Sequence, residues 1–475
     1  MPLLFPQVSV LPLSRYGAIL GPTRMEESAR RIGEIRARLT GRVVWNISSS
    51  AVGGGVAEMV RTLLAYARGA GVDARWVVIQ GPSEFFRITK RLHNAIHGSS
   101  GDGSPLGPDE RRIYDQVSQR NAAELIPMVR RRDIAIVHDP QPAGMIAALR
   151  AAGAHVIWRC HIGHDQINAD VERGWGFLAP YLADAAAYVF SRAAYIPREL
   201  DAGRAVVIPP SLDPFSAKNQ VLPERAIAAI LVETGLVAGV PDEEAALFIR
   251  EDGTPGRVDR TAVVVRDGPL PGLDTPLVVQ VSRWDRLKDP IGVLHGFARI
   301  PPAAAHGAHL ILAGPDSTSV RDDPEGAAVY GDVVEAWGAL EPSVRVRVHL
   351  ASLPTVDIDE NAAMVNALQR HAAVVVQKSL FEGFGMTVTE AMWKGRPVVA
   401  SAVGGIQDQI EDGVQGLLLR DPRDPSELAA AVARVLDDPV LARQLGEHAH
   451  ARVVDRYLGL DSLLKYGALI ERLER

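Results

Sequence analysis

The most constraining feature of this sequence is a series of short apolar stretches, each followed by a turn and a segment with helical spacing. The stretches lack regular polar alternation, which is typical of strands buried on both faces. Strands that alternate with helices form parallel βαβ units, so we predict an α/β fold. The candidate strands are Val43–Ile47, Arg75–Ile79, Ile134–Val137, His155–Trp158, Ala187–Phe190, Ala205–Ile208, Leu277–Val281, His309–Ala313, Val344–Leu350, Ala373–Gln377, Pro397–Ala400 and Gly416–Leu419.

The length of the chain and its proline- and glycine-rich breaks predict two domains. A chain of 475 residues exceeds the size at which one core usually divides. Pro209-Pro210 closes the first half. Residues from about 220 to 275 hold a helical stretch and then a polar, Gly/Pro-rich segment, and we interpret them as an insertion or linker with a small hairpin at Ala262–Val265. We therefore predict two doubly wound, Rossmann-like domains facing a central cleft, residues 1–212 and 213–454, with the helix at 455–475 returning to the first.

Composition excludes several classes of protein. The chain is 47% hydrophobic and 23% charged, with a net charge of −6, which is typical of a globular protein and argues against nucleic-acid partners. Its single cysteine, Cys160, excludes an intramolecular disulfide and a cysteine-based zinc site. There is no apolar run long enough to span a membrane, and Pro2, Pro6 and Pro12 interrupt a non-basic N-terminus. We expect a cytoplasmic protein without a membrane segment.

Ligands of doubly wound sheets bind beyond the carboxyl ends of strands, so the residues that follow each strand are the candidate site. The first strand leads into Gly53–Gly55 and then a helix, where glycine lets a ligand approach the backbone and the helix offers free N–H groups. The spacing matches neither GxGxxG nor a P-loop, which makes NAD and P-loop assignments weak. A tight turn without a ligand is an equal alternative.

Charged residues follow two strands of the second half. Arg283 and Lys288 come after Leu277–Val281 and could hold a diphosphate, although a solvated loop with pairs to Asp285 and Asp289 explains them as well.

Two carboxylates accompany the strand at Ala373–Gln377. Glu382 lies in a glycine-flanked loop, and Glu390 lies in the helix that we expect from about Met386. Carboxylates accept hydrogen bonds from vicinal sugar hydroxyls, but Glu390 is equally explained as an acid favoured by the helix dipole. The Gly404-Gly405 pair reads as a simple turn.

In the first half, His138–Gln141 and His161 follow strands, which raises the chance that these histidines are functional and not structural. Cys160 lies in an apolar setting, where a free thiol is usually inert, so we do not predict a cysteine nucleophile. Residues 84–94 predict a helix, for which an amphipathic surface helix is the simpler interpretation.

Taken together, these motifs resemble the retaining glycosyltransferases of the glycogen synthase and sucrose-phosphate synthase class, which have the GT-B fold. A closer resemblance is carried by several stretches of the sequence: GGGVAEM, ARWVVIQG, EFFRITKRLHNAIHG, HDPQPAG, WRCHI, SRWDRLKDP, DDPEG and EGFGMTVTEAMWKGRPVV. Together they resemble the trehalose glycosyltransferring synthases over most of residues 40–420. The segment around 245–275 is longer than that family's usual link.

The resemblance implies a reversible synthesis of trehalose from a nucleoside diphosphate glucose and glucose, with retention by same-face displacement. The implied catalytic residues are Arg283, Lys288, Glu382 and His161. The implied donor-binding residues are Gly54, Gly55, Gly383, Phe384, Gly385, Met386, Thr387 and Glu390. The implied acceptor-binding residues are Glu84, Lys90, Asn94, Asp139 and Gln141.

No cofactor or metal site is implied, while stimulation by Mg²⁺, a homodimer and the preferred nucleobase stay open. The partners implied are small molecules, with no nucleic acid and no membrane. Three alternatives remain: a trehalose phosphorylase, a related transferase whose acceptor is a sugar phosphate, and a non-catalytic sugar-nucleotide sensor. Arg87, Lys90 and Arg91 keep the second open, and the retained Arg283, Lys288, Glu382 and Glu390 disfavour the third.

Overall fold

The computed structural model describes residues 2–51, 54–316 and 324–474. The chain divides into two compact units, unit 1 (Met1–Ser211 with Tyr457–Arg475) and unit 2 (Leu212–Arg456). Gly53 of the first loop and the first two residues of the DDPEG motif lie outside the described residues.

Within its described residues, unit 1 forms a parallel sheet in the order β2-β1-β3-β4-β5-β6. All six residues of β1 and all five of β3 are buried, as expected for mainly apolar strands that are covered on both faces. The strands are β1 (Val43–Ser48), β2 (Asp73–Val78), β3 (Ile134–His138), β4 (His155–Arg159), β5 (Ala187–Phe190) and β6 (Ala205–Val207).

Helices cover both faces of this sheet. The C-terminal helix packs Leu469 and Ile470 against Ile35 of the first helix and against Val44 of β1, which explains why the end of the chain belongs to unit 1. The helices are α1 (Gly17–Arg38), α2 (Gly54–Gly69), α3 (Ser83–Ile96), α4 (Pro108–Leu125), α5 (Ile146–Ala151), α6 (Ala169–Leu182) and, at the end of the chain, α17 (Gly459–Leu473).

The main sheet of unit 2 has the order β15-β14-β13-β10-β11-β12-β9 among the described residues. Its strands pair in parallel except β9, which pairs antiparallel with β12. The strands are β7 (Leu247–Ile249), β8 (Pro255–Arg257), β9 (Val263–Val265), β10 (Leu277–Val281), β11 (His309–Pro315), β12 (Val348–Leu353), β13 (Val374–Gln377), β14 (Val398–Ser401) and β15 (Leu417–Leu419). The helices are α7 (Glu224–Glu233), α8 (Pro290–Ala298), α9 (Pro302–Ala305), α10 (Pro324–Gly338), α11 (Pro342–Arg345), α12 (Ile358–His371), α13 (Met386–Trp393), α14 (Ile406–Gln409), α15 (Pro425–Asp437) and α16 (Pro439–Arg456).

Two predicted elements are wrong. Val263–Val265 forms no hairpin of its own but adds an edge strand to β12, and the hairpin is β7–β8, which turns at Gly253 with φ +86°. The strand predicted at Val344–Leu350 starts four residues late, because Pro342 opens the short helix α11.

Both main sheets reverse their strand order beside their first parallel strand. The order changes direction between β1 and β3 in unit 1, and between β10 and β13 in unit 2. Ligands of open α/β sheets bind outside the carboxyl ends of the strands at such a switch point. In the described part of the chain, no helix is both long and apolar enough to cross a membrane.

Candidate functional site

At the switch point of unit 2, β10 leads into a single 3-10 turn that positions Lys288. The carboxylate of Asp285 accepts from the Leu287 N–H at 2.8 Å and begins this turn, Arg286–Lys288. Asp289 then adopts φ +46° and caps α8 by accepting from the Gly292 N–H at 3.1 Å. Lys288 thus ends one capped turn, directly before the Asp289 cap of α8.

Lys288 forms an ion pair with Glu382, the carboxylate of the loop after β13. The Lys288 Nζ lies 2.6 Å from the Glu382 Oε2, and the Ser379 hydroxyl donates to the same oxygen at 3.1 Å. The Leu380 N–H donates to the Leu287 carbonyl at 2.8 Å, which ties the two loops together. Both side chains are largely buried, 17% and 12% exposed. Two residues that the sequence placed 94 positions apart therefore form one charged pair.

The support beneath this pair is a second, buried ion pair that the sequence reasoning missed. Lys378 is fully buried and bonds to Asp289 and, at 2.6 Å, to the carbonyl of Pro422. Gln280 in β10 bridges both sides, donating to the Lys288 carbonyl at 3.0 Å and accepting from the Lys378 N–H at 3.1 Å. The sequence did contain a sign of this support: Gln280 is a polar residue inside an apolar strand, and such a residue needs hydrogen-bond partners when it is buried.

The loop after Glu382 is fixed by a turn that the sequence explained only as a connection. Gly385 has φ +89° and precedes α13. Gly405 donates to the Gly383 carbonyl at 3.2 Å, and a Cβ at Gly405 would lie 2.7 Å from the Cα of Phe384. Gln409 donates to the Phe384 carbonyl at 2.6 Å. The Gly404-Gly405 turn therefore supports this loop and the N-terminus of α13.

Met386 and Thr387 form the first turn of α13, where backbone N–H groups have no partner within the helix. Such a turn carries partial positive charge and favours an anion. It begins at the carboxyl end of β13, on the same edge of the sheet as Glu382.

Glu390, on the second turn of α13, is buried and faces a cation that the sequence reasoning missed. The Lys218 Nζ lies 3.6 Å from its Oε1. The neighbouring Lys394 donates to the backbone carbonyl of Glu390 at 3.3 Å, and burial lowers the pKa of Lys394 to about 7. The negative charge of Glu390 is therefore balanced by the ammonium group of Lys218. The alternative explanation, an acid favoured only by the helix dipole, does not require such a partner.

Arg283 is placed less tightly. Its side chain is 67% exposed and pairs with Asp285 at 3.0 Å, as the solvated-loop alternative predicted. Lys288 departs from that alternative because it pairs with Glu382 and not with Asp289.

At the switch point of unit 1, two histidines and an asparagine form one hydrogen-bonded chain. The Arg159 Nε donates to the His161 Nδ1 at 3.4 Å, so the proton of His161 lies on Nε2, 3.0 Å from the His138 Nδ1. The His138 Nε2 then donates to the Asn46 Oδ1 at 3.0 Å. Burial lowers the pKa of His138 to about 3 and that of His161 well below its usual range. Both imidazoles are therefore neutral.

Asp139 joins the ends of β3 and β4 beside this chain. Its carboxylate accepts from the backbone N–H of His161 at 2.8 Å, and its own backbone N–H donates to the Arg159 carbonyl at 2.7 Å. Asp139 adopts φ +65°, and burial raises the pKa of its carboxyl to about 7. The Gln141 Oε1 is buried without a hydrogen-bond partner. These two predicted acceptor residues thus carry polar groups that the protein leaves poorly compensated.

The remaining predicted residues lie on helices of unit 1. Glu84 and Lys90 are exposed and Asn94 is half-buried on α3, while Gly54 and Gly55 form the start of α2. Cys160 is buried, burial raises the pKa of its thiol, and it donates to the Ile162 carbonyl, as expected for an inert cysteine. In the described residues, no group of three or more His, Cys, Asp or Glu side chains could hold a metal ion.

Comparison with known proteins assigns the two halves of the chain. Residues 46–197 match the family described as the N-terminal domain of trehalose synthase, and residues 266–452 match glycosyl transferases group 1. The trehalose synthase of Pyrococcus horikoshii is 33% identical over 461 residues, 97% of this chain and 96% of that protein. The trehalose synthase of Rubrobacter xylanophilus is 34% identical over 443 residues, 92% and 93% of the two chains.

Among solved structures, an alpha,alpha-trehalose-phosphate synthase (UDP-forming) from Burkholderia xenovorans aligns with a TM-score of 0.65 at 17% identity, covering 92% of this chain and 100% of that one. At that identity the likeness shows the fold, which is GT-B, as the motifs predicted. Identity above 30% over nearly the whole length shows the family as well. The chain belongs to the trehalose synthase family of glycosyltransferases.

Proposed function

We propose that this protein transfers glucose from a nucleoside diphosphate glucose to free glucose, forming trehalose reversibly and with retention at the anomeric carbon. The observation that carries the proposal is the Lys288–Glu382 pair, 2.6 Å apart beside the N-terminus of α13. A cation, a carboxylate and free helix N–H groups at one sheet edge suit a diphosphate joined to a sugar. Family membership supports the same reaction.

In this proposal, unit 2 binds the donor. Lys288 and Arg283 hold the diphosphate, with the backbone N–H groups of Met386 and Thr387. The Arg283 side chain can exchange its exposed ion pair with Asp285 for a phosphate at little cost, because an exposed ion pair contributes little stability. Glu382 accepts from hydroxyls of the transferred glucose.

Glu390 accepts from the ribose of the donor. Its charge is already matched by Lys218, so a neutral sugar is a suitable partner for it.

Unit 1 binds the acceptor. Glucose carries no charge, and the chain from His161 to Asn46 is a neutral hydrogen-bonding surface. We assign Asp139 and Gln141 to acceptor hydroxyls because both carry buried oxygen atoms that need donors. Glu84, Lys90 and Asn94 complete the acceptor set, and Gly54 and Gly55 bring backbone to the donor phosphate or the reacting sugar.

The chemistry proposed is a displacement on one face of the sugar. The bond from the anomeric carbon to the phosphate oxygen breaks, the bond to the acceptor oxygen forms on the same side, and the acceptor proton passes to the leaving phosphate. Lys288 stabilises the negative charge that develops on that phosphate. No atom changes oxidation state, so the proposal includes no redox cofactor.

Product analysis tests the proposal. The protein is incubated with trehalose and, in parallel, with ADP, GDP, UDP or inorganic phosphate. Formation of nucleotide-glucose and glucose supports the proposal and ranks the bases, whereas glucose 1-phosphate from the phosphate arm alone would identify a phosphorylase.

A Glu382→Gln variant tests the role of the carboxylate charge, because it keeps the shape of the side chain and can still accept a hydrogen bond from Ser379. We expect it to fold and to lose about 100-fold in turnover. No conversion by the wild type in any arm would overturn the proposed reaction.

A further inference from the structure

Unit 2 has a second cluster of basic side chains, at the opposite ends of its strands from Lys288 and Glu382. A cavity of about 620 Å³ opens at the amino ends of β13 and β14, between the end of α13 and the helix α16. Arg370 and Arg396 line it. This volume lies within the range of small-molecule sites.

Among the described residues the two arginines have no partner of opposite charge, although Arg370 donates to the Asn366 side chain at 2.9 Å and to backbone carbonyls. Neither has a carboxylate within 4.0 Å among the described residues, and the Arg396 Nε is buried without a hydrogen-bond partner. The remaining bond of Arg396 is weak, from Nη1 to the Ala372 carbonyl at 3.4 Å. Burial lowers the pKa of Arg396 and, with help from the charge of Arg396, lowers that of Arg370 to about 10. Like charges that share a desolvated site are costly unless an anion joins them.

The rest of the cavity suits a small organic anion. Trp393 packs against His450 with ring centroids 4.7 Å apart, and Ala442 adds an apolar wall. Arg443 lies on the rim but has its own partner in Glu447, at 3.9 Å. Arginine presents a planar fork that binds phosphate through two parallel hydrogen bonds, and an aromatic side holds the organic part.

We propose that this cavity binds a small phosphate-bearing metabolite and that its occupancy is transmitted to Glu390. The transmission runs through residues 218–220. Arg370 donates to the carbonyls of Asn219 and Gln220, each at 2.9 Å, and the Trp393 indole donates to the same Asn219 carbonyl at 2.9 Å. Lys218, the adjacent residue, faces Glu390 at 3.6 Å. A ligand that draws on Arg370 therefore acts on the segment that positions the partner of Glu390.

The test is thermal unfolding of the full chain in phosphate-free buffer, with inorganic phosphate or glycerol 3-phosphate added, and glycerol as the uncharged match. We expect both phosphates to raise the unfolding temperature of the wild type, with the organic phosphate acting at lower concentration. The Arg396→Gln variant should bind either phosphate about tenfold more weakly or worse, because it loses a charge-assisted contact.

Three further variants separate this site from folding defects and from the donor site. Arg396→Gln should unfold no earlier than wild type in phosphate-free buffer, because it removes one of two adjacent like charges. Arg396→Lys, which keeps the charge without the fork, should bind with intermediate affinity. Arg283→Gln, which alters the donor site, and Arg434→Gln, at an exposed position of α15, should keep the full response.

An absent response in the wild type, or an unchanged response in Arg396→Gln, would overturn the site. If both phosphates act equally, the site takes the free anion and not a metabolite. The link to Glu390 rests on the proposed function and is measured separately, as the KM for the nucleotide sugar with and without glycerol 3-phosphate. A response in the unfolding temperature without a change in KM would overturn the link alone.

Discussion

The two switch points occupy the same topological position but are built from different chemistry. In unit 2 the residues beyond β10 and β13 are charged, with Lys288 on Glu382 and Lys378 on Asp289. In unit 1 a neutral chain runs from His161, after β4, through His138 at the end of β3 to Asn46 within β1. One fold thus supplies a charged surface in one unit and an uncharged surface in the other.

The difference follows from burial and from the partners available. A buried lysine stays charged only when a carboxylate or carbonyl meets it, and in unit 2 each of the two lysines has such a partner. In unit 1 burial disfavours a charged imidazole, and the cation of Arg159 adds to that effect. We call the side chains of Lys288, Glu382, Lys378 and Asp289 the charged edge, and those of His161, His138 and Asn46 the neutral edge. The charged edge suits a diphosphate and the neutral edge suits a sugar, in agreement with the proposed division of donor and acceptor.

The largest effect should come from removing the cation of the charged edge. We expect Lys288→Met to lower kcat by about 100- to 1,000-fold, because it removes one preorganised group from the developing phosphate charge. Initial rates of nucleotide-glucose formation from trehalose measure it.

Arg286→Met is the matched control for that substitution. Arg286 lies on the same 3-10 turn, is exposed and pairs with Asp332 at 2.8 Å. It should retain nearly the wild-type rate. Equal losses in both variants would mean that the turn, and not the Lys288 charge, determines activity.

The sequence predicted strand positions better than the contacts that connect them. Lys288 and Glu382 were each identified, yet nothing in their local sequence shows that β10 and β13 are neighbours, and that pairing brings them within 2.6 Å. Gln280 and Asn46 were overlooked although each is a polar residue in an apolar strand. Such positions deserve the same attention as the residues that follow strands, because a buried amide indicates a partner beside it.

Other features could not be predicted from local sequence. The tautomer of His161 depends on the direction of one hydrogen bond from Arg159, and the Lys218–Glu390 pair joins residues 172 positions apart. Both depend on tertiary packing.

A medium effect should come from the neutral chain in unit 1. The pKa of His138 is lowered to about 3 in the folded state, so the unfolded state binds more protons below pH 6.5 and stability falls as pH decreases. Between pH 7 and pH 5 this costs about 2 kcal/mol, and His138→Gln should lack that loss. Hydrogen exchange of the β3 and β4 amides at both pH values measures it. A variant with the same pH response as wild type would show that His138 is charged in the folded protein.

The smallest effect should come from Asp139, and its sign is opposite. Its pKa is raised to about 7, so the folded state binds more protons than the unfolded state between about pH 4 and pH 7, and stability falls as pH rises through that range. Because Asp139 as a whole residue is partly exposed and solvent screens its charge, we expect a cost of about 1 kcal/mol at pH 8 relative to pH 5. Asp139→Asn keeps the acceptor oxygen and tolerates φ +65°, so it should be more stable than wild type at pH 8 and approach the wild-type stability only near pH 4.

The opposing slopes of His138 and Asp139 partly cancel in the wild type between pH 5 and pH 7. Each variant should therefore show the effect of the group that it keeps: Asp139→Asn should lose stability more steeply on acidification than wild type, and His138→Gln should lose it less steeply. The same hydrogen-exchange measurement on the double variant gives the decisive comparison: its response over this range should lie between those of the two single variants, because both opposing contributions are removed while the loss of stability caused by His161 remains. If neither single variant departs from the wild-type curve, the pH-sensitive groups of unit 1 are not His138 and Asp139, and the contrast between a charged and a neutral edge then loses its basis in unit 1.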